Sequence, residues 1–538
     1  MKKLFCMMIA LALMLTVVGV AEEPSVITVA SGSQFTTLDP ALNTEVVNNY
    51  VINHIYVGLF TTDENNVAQK ELCKDYTVSE DGLTYTFTLN DNFVWSDGTP
   101  ITSNDVVYSW LRALSYGPDN VWAINDMMSY IVGAMDYNAK ALEAGTAFDC
   151  TVEDYSYVGI TAPDDFTVVL TLTMPCAYLT NLLASNAWTP VCAAFAPQHE
   201  SLWAYEGGYP TSGAYTLLEC NENEKAVMVK NPLYYDAANV MNDQIEILVM
   251  PDDSAQLMAY QTGEIDVATS ISSETAIQYK GQDDLWIMPR CSNYTLAINS
   301  GSTGPEWAKN ANVRKALNMA IDKDALVDLL GGADLYPTLL GYVPTGVSGV
   351  TGDFRAEGDA EGKKVTYDLE GAKALLAQEG YDESNPLVIK YKYSNNGMHA
   401  DVATTLEYMW GQAGVVVEPV SVESGVFYDQ LDQGDFEIAR YGYVASDDAM
   451  QYLELWTTQI QVVAAVDDPL YDQMCADARK LVDKTEYYTK LHEIEDYLDV
   501  EMTYAIPLFN YTTPMLVNPA VTGCTQHGGS IWLADIVK

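Results

Sequence analysis

Short segments with the two-residue period of a β-strand alternate with segments of helical period along most of this chain, and this alternation limits the possible folds more than any other feature. Strand-like segments are residues 26–29, 83–89, 294–299, 387–393, 415–420, 436–441 and 504–509. Helical spacing predicts helices such as 46–55, one continuous helix from Val313 to Leu330, and another from Gly371 to Glu379. Strands that alternate with helices predict an α/β fold. A chain of 538 residues exceeds a single hydrophobic core, so we expect two or three lobes.

Two local patterns predict where early helices begin. The run Thr37-Leu38-Asp39-Pro40 predicts a turn before the first helix, because proline and the Asp side chain both favour turns. Thr102 or Ser103 is a suitable cap for a helix from Asn104 to Ala113, because a hydroxyl oxygen can accept from free N–H groups at a helix start. Both helices therefore have identifiable starting points.

The amino terminus has the pattern of an export signal. Lys2 and Lys3 precede an apolar run from Leu4 to Val18, and the small residues of Gly19-Val20-Ala21 suit cleavage. We expect residues 1–21 to be removed and the protein to work in the periplasm or on the outer cell surface. Val17-Val18-Gly19 resembles the sequence before a lipoprotein cysteine, but Val20 has no thiol to acylate. No lipid anchor is therefore expected, and membrane association would come through a partner.

The charge of the chain excludes some partners. Asp and Glu number 74 against 26 Lys and Arg, a formal net charge of −48, which repels nucleic acid. The nine cysteines form no C-x-x-C, and no Cys/His pair has metal-ligand spacing. We therefore expect no nucleic-acid partner, no metal and no cofactor.

The common catalytic motifs are missing from the sequence. The 35 glycines include no G-x-G, and neither G-x-x-x-x-G-K nor G-x-S-x-G occurs. The five histidines are widely scattered, so each is interpreted as a surface or packing residue. The chain is therefore predicted not to be an enzyme, with no catalytic residue assigned.

Several motifs, taken in order, resemble a known family. They are Thr37-Leu38-Asp39-Pro40, Gly58-Leu59-Phe60, Trp95-Ser96-Asp97-Gly98-Thr99-Pro100, Ser212-Gly213-Ala214-Tyr215, Gly263-Glu264-Ile265-Asp266, Val313-Arg314-Lys315-Ala316-Leu317 and Phe436-Glu437-Ile438-Ala439-Arg440. Each motif alone is weak, but the ordered set spans nearly the whole mature chain. It resembles the oligopeptide- and dipeptide-binding proteins of bacterial ABC importers, which are large extracellular solute-binding proteins.

The resemblance implies a specific architecture, the type II periplasmic-binding-protein clamp. One lobe would comprise residues 25–65, 208–297 and 506–538, and an extra domain of residues 66–207 would pack on it. The second lobe would be residues 298–505, and strands around Asn299 and Ala505 would cross between the lobes. Two crossing strands form a hinge about which the lobes can close on a ligand.

The resemblance also implies a function. The chain would capture oligopeptides between its lobes, as a monomer, and deliver them to an ABC-type permease in the membrane. A peptide backbone offers the same hydrogen-bonding groups whatever its side chains, so strand-like contacts can bind many sequences.

Arg440 opens the segment that matches the family's ligand-binding stretch. Gly442 matches the family pattern, Tyr443 stands where the family has Trp, and Ser446 takes the place of the acidic residue that pairs with a peptide α-ammonium. Asp447 follows at once, and we expect it to supply that carboxylate.

Three further expectations concern neighbouring residues. Asp448 is expected to face solvent or to cap the following helix, and Tyr511 to be a binding-site tyrosine near the second crossover. Arg440 can pair with a ligand carboxylate in bidentate fashion or form a structural salt bridge.

Two other functions remain open at this point. The same clamp can bind an oligosaccharide or another non-peptide solute, and then the displaced acidic residue needs no explanation. A secreted hydrolase is the remote alternative, although no catalytic motif supports it.

Overall fold

The computed structural model describes residues 25–116, 127, 129–144, 155–196, 208–361, 363–395, 397–445, 448–460, 465–527 and 530–538. Its strands are β1 Val26–Ser31, β2 Phe60–Thr62, β3 Ala68–Lys70, β4 Cys73–Val78, β5 Thr84–Leu89, β6 Ile160–Asp164, β7 Thr167–Thr171, β8 Tyr215–Asn221, β9 Lys225–Lys230, β10 Gln244–Val249, β11 Val267–Ala268, β12 Leu285–Ile298, β13 Val388–Ser394, β14 Val416–Val422, β15 Ile438–Tyr441, β16 Ala505–Val517, β17 Thr525–His527 and β18 Ser530–Trp532.

The α-helices are α1 Val46–Ile55, α2 Ser103–Ser115, α3 Ala134–Ala144, α4 Leu179–Leu182, α5 Asp253–Thr262, α6 Ser273–Tyr279, α7 Ala311–Met319, α8 Lys323–Leu330, α9 Phe354–Glu361, α10 Leu369–Gln378, α11 Gly397–Gln412, α12 Ser424–Asp432, α13 Met450–Leu453, α14 Pro469–Ala478 and α15 Lys484–Glu495. Short 3-10 turns span Pro40–Leu42, Asn186–Trp188, Glu306–Lys309 and Glu454–Trp456, and a π-helical turn spans Asp496–Glu501. None of the helices within the described ranges combines the length and apolar character needed to cross a bilayer.

A ten-stranded mixed sheet runs through the molecule, in the order β14-β13-β15-β12-β16-β11-β1-β10-β9-β8. β12 and β16 lie side by side and antiparallel at its centre, with 14 and 13 residues respectively. β12 pairs with β15 through Thr295 and Tyr441, and β16 pairs with β11 through Val517 and Val267. These two strands therefore join the halves of the sheet, as predicted for the crossovers. Their pairing shifts register between Pro289 and Asn293, which marks an irregular point midway along the joint.

A separate four-stranded antiparallel sheet, in the order β4-β5-β7-β6, lies within residues 66–207. Its apolar core is continuous with that of residues 342–504, while two further large cores lie under the two halves of the ten-stranded sheet. Segment 66–207 therefore contacts both halves of the molecule. The predicted lobe boundaries themselves stay a prediction.

The local helix-start patterns predicted from the sequence are present. The Asp39 carboxylate accepts from the Ala41 N–H at 3.1 Å at the start of the turn Pro40–Leu42. At the start of α2 the Thr102 N–H donates to the Asp105 carboxylate at 2.8 Å. Each side chain thus satisfies a backbone group that the turn or helix leaves unpaired.

The prediction of one helix from Val313 to Leu330 is wrong. α7 ends at Met319 and α8 begins at Lys323. The Asp322 carboxylate accepts from the Ala325 N–H at 3.0 Å and so caps α8. A capping aspartate within an apolar pattern of helical period marks the break, because its side chain competes with helix continuation.

Candidate ligand-binding cleft

A cavity of about 620 Å³ opens beside the crossover strands, between the two halves of the ten-stranded sheet. Its walls come from the start of α1, from residues 56–71, from residues 181–189 beside α4, from β12 and from residues 443–451. Five separate parts of the chain therefore meet there. The residues that line it include Asn43, Glu45, Asn49, Glu71, Asn186, Arg290, Tyr443 and Ala445.

Asparagine side chains form one wall, at the start of α1. Asn186 Nδ2 donates to Asn49 Oδ1 at 2.8 Å, and Asn48 Nδ2 donates to Asn43 Oδ1 at 2.9 Å. Asn43 Nδ2 also donates to Asn49 Oδ1. An amide offers both donors and acceptors, and these mutual hydrogen bonds fix the orientations of the side chains. The wall is thus suited to a ligand that carries amide or hydroxyl groups.

Another wall is the segment that follows β15, and this segment is hydrogen-bonded to β12. The Tyr443 N–H donates to Asn293 Oδ1 at 3.2 Å, and Val444 bridges to Ser292 in antiparallel fashion. A Cβ at Gly442 would lie 2.6 Å from the Asn293 carbonyl oxygen, so the close approach requires glycine. Tyr443 and Ala445 line the cavity. Gly442 positions this segment, and the Tyr443 ring packs edge-on against that of Tyr452 at 5.4 Å.

The predicted anchor residues Ser446 and Asp447 lie outside the described residues. Asp448 is fully buried, so the expectation that it faces solvent is wrong. Its carboxylate accepts from the hydroxyls of Tyr487 at 2.7 Å and Tyr488 at 2.8 Å, and from the Met450 N–H at 2.8 Å. Asp448 lies one residue before the cap position Ala449, so it is not the helix cap of α13, although it accepts from the first helical N–H. The two tyrosines explain why a carboxylate can be buried there.

Arg440 and Tyr511 lie together, outside the set of residues that line the cavity. The guanidinium donates to the Tyr428 hydroxyl at 2.7 Å, interacts with the Tyr511 hydroxyl, and lies 5.7 Å from the Tyr294 ring centroid. Burial lowers the pKa of Arg440, but the surrounding tyrosine oxygens outweigh that effect and the net pKa is raised. The structural salt bridge considered for Arg440 is absent, since no described Asp or Glu pairs with it. Its Nε is buried without a hydrogen-bond partner among the described residues.

His399 belongs to the same cluster, although the sequence suggested a surface or packing role. Its ring centroid lies 5.5 Å from that of Tyr294, and burial together with the Arg440 charge lowers the pKa of His399 to about 4. The imidazole is therefore neutral at physiological pH. No sequence spacing relates His399 on α11 to Arg440 on β15, so only the fold brings them together.

The cavity is also lined by three charged residues that the sequence did not identify as candidates. Glu45 is exposed at the start of α1, Arg290 is exposed on β12, and Glu71 is partly buried between β3 and β4. Burial raises the pKa of Glu71 to about 8, against the opposing effect of hydrogen bonds from the Gly58 N–H and the Tyr235 hydroxyl. The cleft thus contains both signs of charge.

Comparison with known proteins identifies relatives of this chain. The family model described as "Bacterial extracellular solute-binding proteins, family 5 Middle" matches residues 68–462. The chain is 27% identical to the periplasmic oligopeptide-binding protein OppA of Escherichia coli (strain K12), over 94% of the chain and 92% of OppA. It is also 27% identical to the probable deoxycholate-binding periplasmic protein YgiS of the same organism, over 91% and 89% of the two chains.

A solved structure shows the same fold. The unliganded open form of the periplasmic murein tripeptide binding protein MppA superposes with a TM-score of 0.80 at 24% identity, covering 93% of this chain and 94% of that one. The predicted fold class, an α/β clamp of the type II periplasmic-binding-protein kind, is confirmed.

Proposed function

Because the chain belongs to family 5 of the bacterial extracellular solute-binding proteins, we propose that it captures oligopeptides in the cleft by closure of its lobes and delivers them to an ABC-type permease. Members of this family bind substrates and are not enzymes, which confirms the non-catalytic prediction. The name of OppA supports a peptide ligand. The protein is proposed to work outside the cytoplasm as a monomer, reaching the membrane through the permease.

The observation that carries the peptide proposal is the position of the segment Tyr443–Ala445. It is extended, bridges to β12 on one side and lines the cavity. Val444 is 55% exposed, so part of this segment is accessible to a ligand. An extended peptide can add to such a segment through backbone hydrogen bonds, and the asparagine wall can complete its remaining polar contacts directly or through water.

Asp447 is proposed to receive the α-ammonium of that peptide, in place of the acidic residue that Ser446 replaces. Arg440 is proposed to receive a ligand carboxylate, with Tyr511 beside it. Its guanidinium has tyrosine hydroxyls but no carboxylate as neighbours among the described residues, so it retains charge for an anionic group.

Closure is proposed to occur about β12 and β16, between two lobes. One lobe would comprise residues 25–65, 208–297 and 506–538 together with the extra domain 66–207. The other lobe would be residues 298–505. The register shift between Pro289 and Asn293 supports a hinge there, because an interrupted ladder bends more easily than a regular one. Small-angle scattering at saturating ligand should show a smaller radius of gyration. An unchanged radius would contradict closure.

The test of the function is a thermal-shift and calorimetric panel of tri- to hexapeptides, oligosaccharides and deoxycholate. Peptides should raise the melting temperature in proportion to the logarithm of their concentration, because they bind the folded state alone. A rise in melting temperature with a sugar or with deoxycholate but not with peptides would establish the non-peptide alternative. The name of YgiS and the wall of asparagine side chains support that alternative.

The anchor is tested in the same panel. Asp447→Asn should weaken a free-amino peptide by about 2–5 kcal/mol and its N-acetylated analogue far less, because it removes one partner of a desolvated ion pair. Asp401→Asn, an exposed substitution on α11, is the matched control. If the wild-type protein binds acetylated and free peptides equally, no α-ammonium anchor operates.

The absence of a lipid anchor is proposed from Val20, in the part of the chain outside the described residues. Mass spectrometry of protein exported by an expressing bacterium should show no addition of diacylglycerol mass at the mature amino terminus. A lipid-sized addition would contradict the assignment.

A further inference from the structure

Glu71 is fixed at the wall of the cleft by its backbone. It lies between β3 and β4, where its N–H donates to the Leu59 carbonyl at 3.1 Å and the next N–H, of Leu72, donates to the Gly58 carbonyl at 3.1 Å. The side chain lines the cavity beside Gly58 and Phe60. The backbone that carries this carboxyl group is therefore held in place at the cavity wall.

The neighbours of this carboxylate are neutral donors. The Gly58 N–H and the Tyr235 hydroxyl hydrogen-bond to it, and no lysine or arginine of the described ranges contributes to its electrostatics. The phenol of Tyr234 lies close enough to interact with it electrostatically. Among the described residues, the other charged groups that line the cavity are Glu45 and Arg290, and both are exposed. A partly buried carboxylate without a counter-charge is unfavourable, and a cation entering the cleft would relieve it.

We propose that Glu71 is a specificity-determining residue of the cleft, and that it accepts a cationic side chain of the ligand, an ammonium or a guanidinium. The inference rests on the cleft being the ligand site. It adds a second carboxylate to the proposed Asp447 anchor, for a side chain rather than for the peptide terminus. The net charge of −48 favours the approach of such ligands.

The ionisation of Glu71 gives the inference a pH signature. Burial raises the pKa of Glu71 to about 8, so the empty cleft holds this carboxyl largely protonated at neutral pH. A bound cation favours the ionised form and lowers that pKa. Affinity for a cationic side chain should therefore rise as pH rises from 6 towards 8, and Glu71 should release its proton on binding.

Calorimetry with a matched peptide set tests this. Each position of tetra-alanine is replaced in turn by lysine or by norleucine, which share a similar alkyl chain and differ in charge. At one position, lysine should bind roughly 10- to 100-fold tighter than norleucine at pH 8, as expected for a charge-assisted pair in a desolvated site. That ratio should fall by about tenfold at pH 6, and the α-amino group cancels because both peptides carry it.

Two variants distinguish a direct contact with Glu71 from attraction of the ligand by the overall negative charge of the protein. Glu71→Gln retains an acceptor for the Gly58 N–H and should abolish the lysine preference. Glu80→Gln removes the same charge from an exposed position outside the residues that line the cavity and should retain the preference. A lysine-to-norleucine ratio that is equal in wild type and Glu71→Gln, or lost equally in Glu80→Gln, overturns the inference.

1,5-Diaminopentane is included as a cation without a peptide backbone. If it binds wild type but not Glu71→Gln while no tetrapeptide binds, the peptide function fails and the inference stands. If tetrapeptides bind with no lysine preference at any position or pH, the inference fails and the peptide function stands. If neither the tetrapeptides nor 1,5-diaminopentane bind, the peptide function and the inference about Glu71 both fail.

Discussion

Segment 66–207 is joined to the two halves of the molecule by contacts of different chemistry. Its joint with residues 25–65 includes, beside neutral hydrogen bonds, the buried ion pair Asp39–Arg112, in which Arg112 Nη1 donates to Asp39 Oδ1 at 3.0 Å and Nη2 donates to Oδ2. These side chains are 1% and 4% exposed. Its joint with residues 298–505 is a shared apolar core with neutral polar contacts: the Tyr178 ring stacks on that of Tyr487 at 5.9 Å, and Asn181 Nδ2 donates to Ser348 Oγ at 2.5 Å.

The difference indicates which joint can move. Separating a buried bidentate ion pair leaves two charges without partners in a low-dielectric interior, which costs several kcal/mol. Stacked rings and neutral hydrogen bonds can shift or exchange with water at much smaller cost. We therefore expect segment 66–207 to move as one body with residues 25–65, and lobe closure to change the joint through Tyr178, Asn181 and Ser348.

Breaking the charged joint should have the largest effect on stability. Arg112→Met leaves Asp39 buried without its cation, and we expect a loss of about 3–5 kcal/mol in the free energy of unfolding measured with urea. Asp75→Asn disrupts the exposed pair Lys70–Asp75, whose side chains are 48% and 75% exposed, and should change stability very little. Equal losses in the two variants would show that the charged joint is no stronger than a surface pair.

The second largest loss of stability is expected for a substitution at Asp448. Its carboxylate lies near the neutral joint and accepts hydrogen bonds from two tyrosine hydroxyls. Asp448→Asn weakens both hydrogen bonds, so we expect a loss of about 1.5–3 kcal/mol in the free energy of unfolding. Asp401→Asn, exposed on α11, is the control and should be close to neutral. Unchanged stability combined with weakened peptide binding would instead give Asp448 a role at the ligand.

The sequence predicted what depends on neighbouring residues. The period-two segments became β5, β13, β14 and β15, the Asp39–Pro40 turn formed, and Thr102 lies at the start of α2. The single helix across Ala320–Asp322 failed because one capping side chain outweighed an apolar pattern. Local signals therefore located these elements, with bounds that differ by one or two residues for α2 and α10, and merged α7 and α8 into one helix.

The site depended on distant contacts and was harder to predict. The family pattern pointed to Tyr443, which lines the cleft, but Glu71 and Arg290 come from strands or connections that carry no local sign of a binding role. The burial of Asp448 depends on hydroxyls about forty residues further along the chain. No spacing encodes such contacts, since they arise when separate elements pack.

The smallest effect should come from the neutral joint itself. Asn181→Ala and Ser348→Ala each remove one side of the amide-to-hydroxyl hydrogen bond, and we expect each to cost about 1 kcal/mol of unfolding free energy. Asn181 Nδ2 also donates to the Asn66 carbonyl at 3.0 Å, so its substitution should cost the more of the two. A double-mutant cycle isolates the direct contact, and we expect a coupling of about 0.5–1.5 kcal/mol in the ligand-free protein. If closure moves this joint, the coupling measured at saturating ligand should differ from the ligand-free value. The same coupling in both states would show that the neutral joint is as fixed as the charged one, and that closure takes place elsewhere.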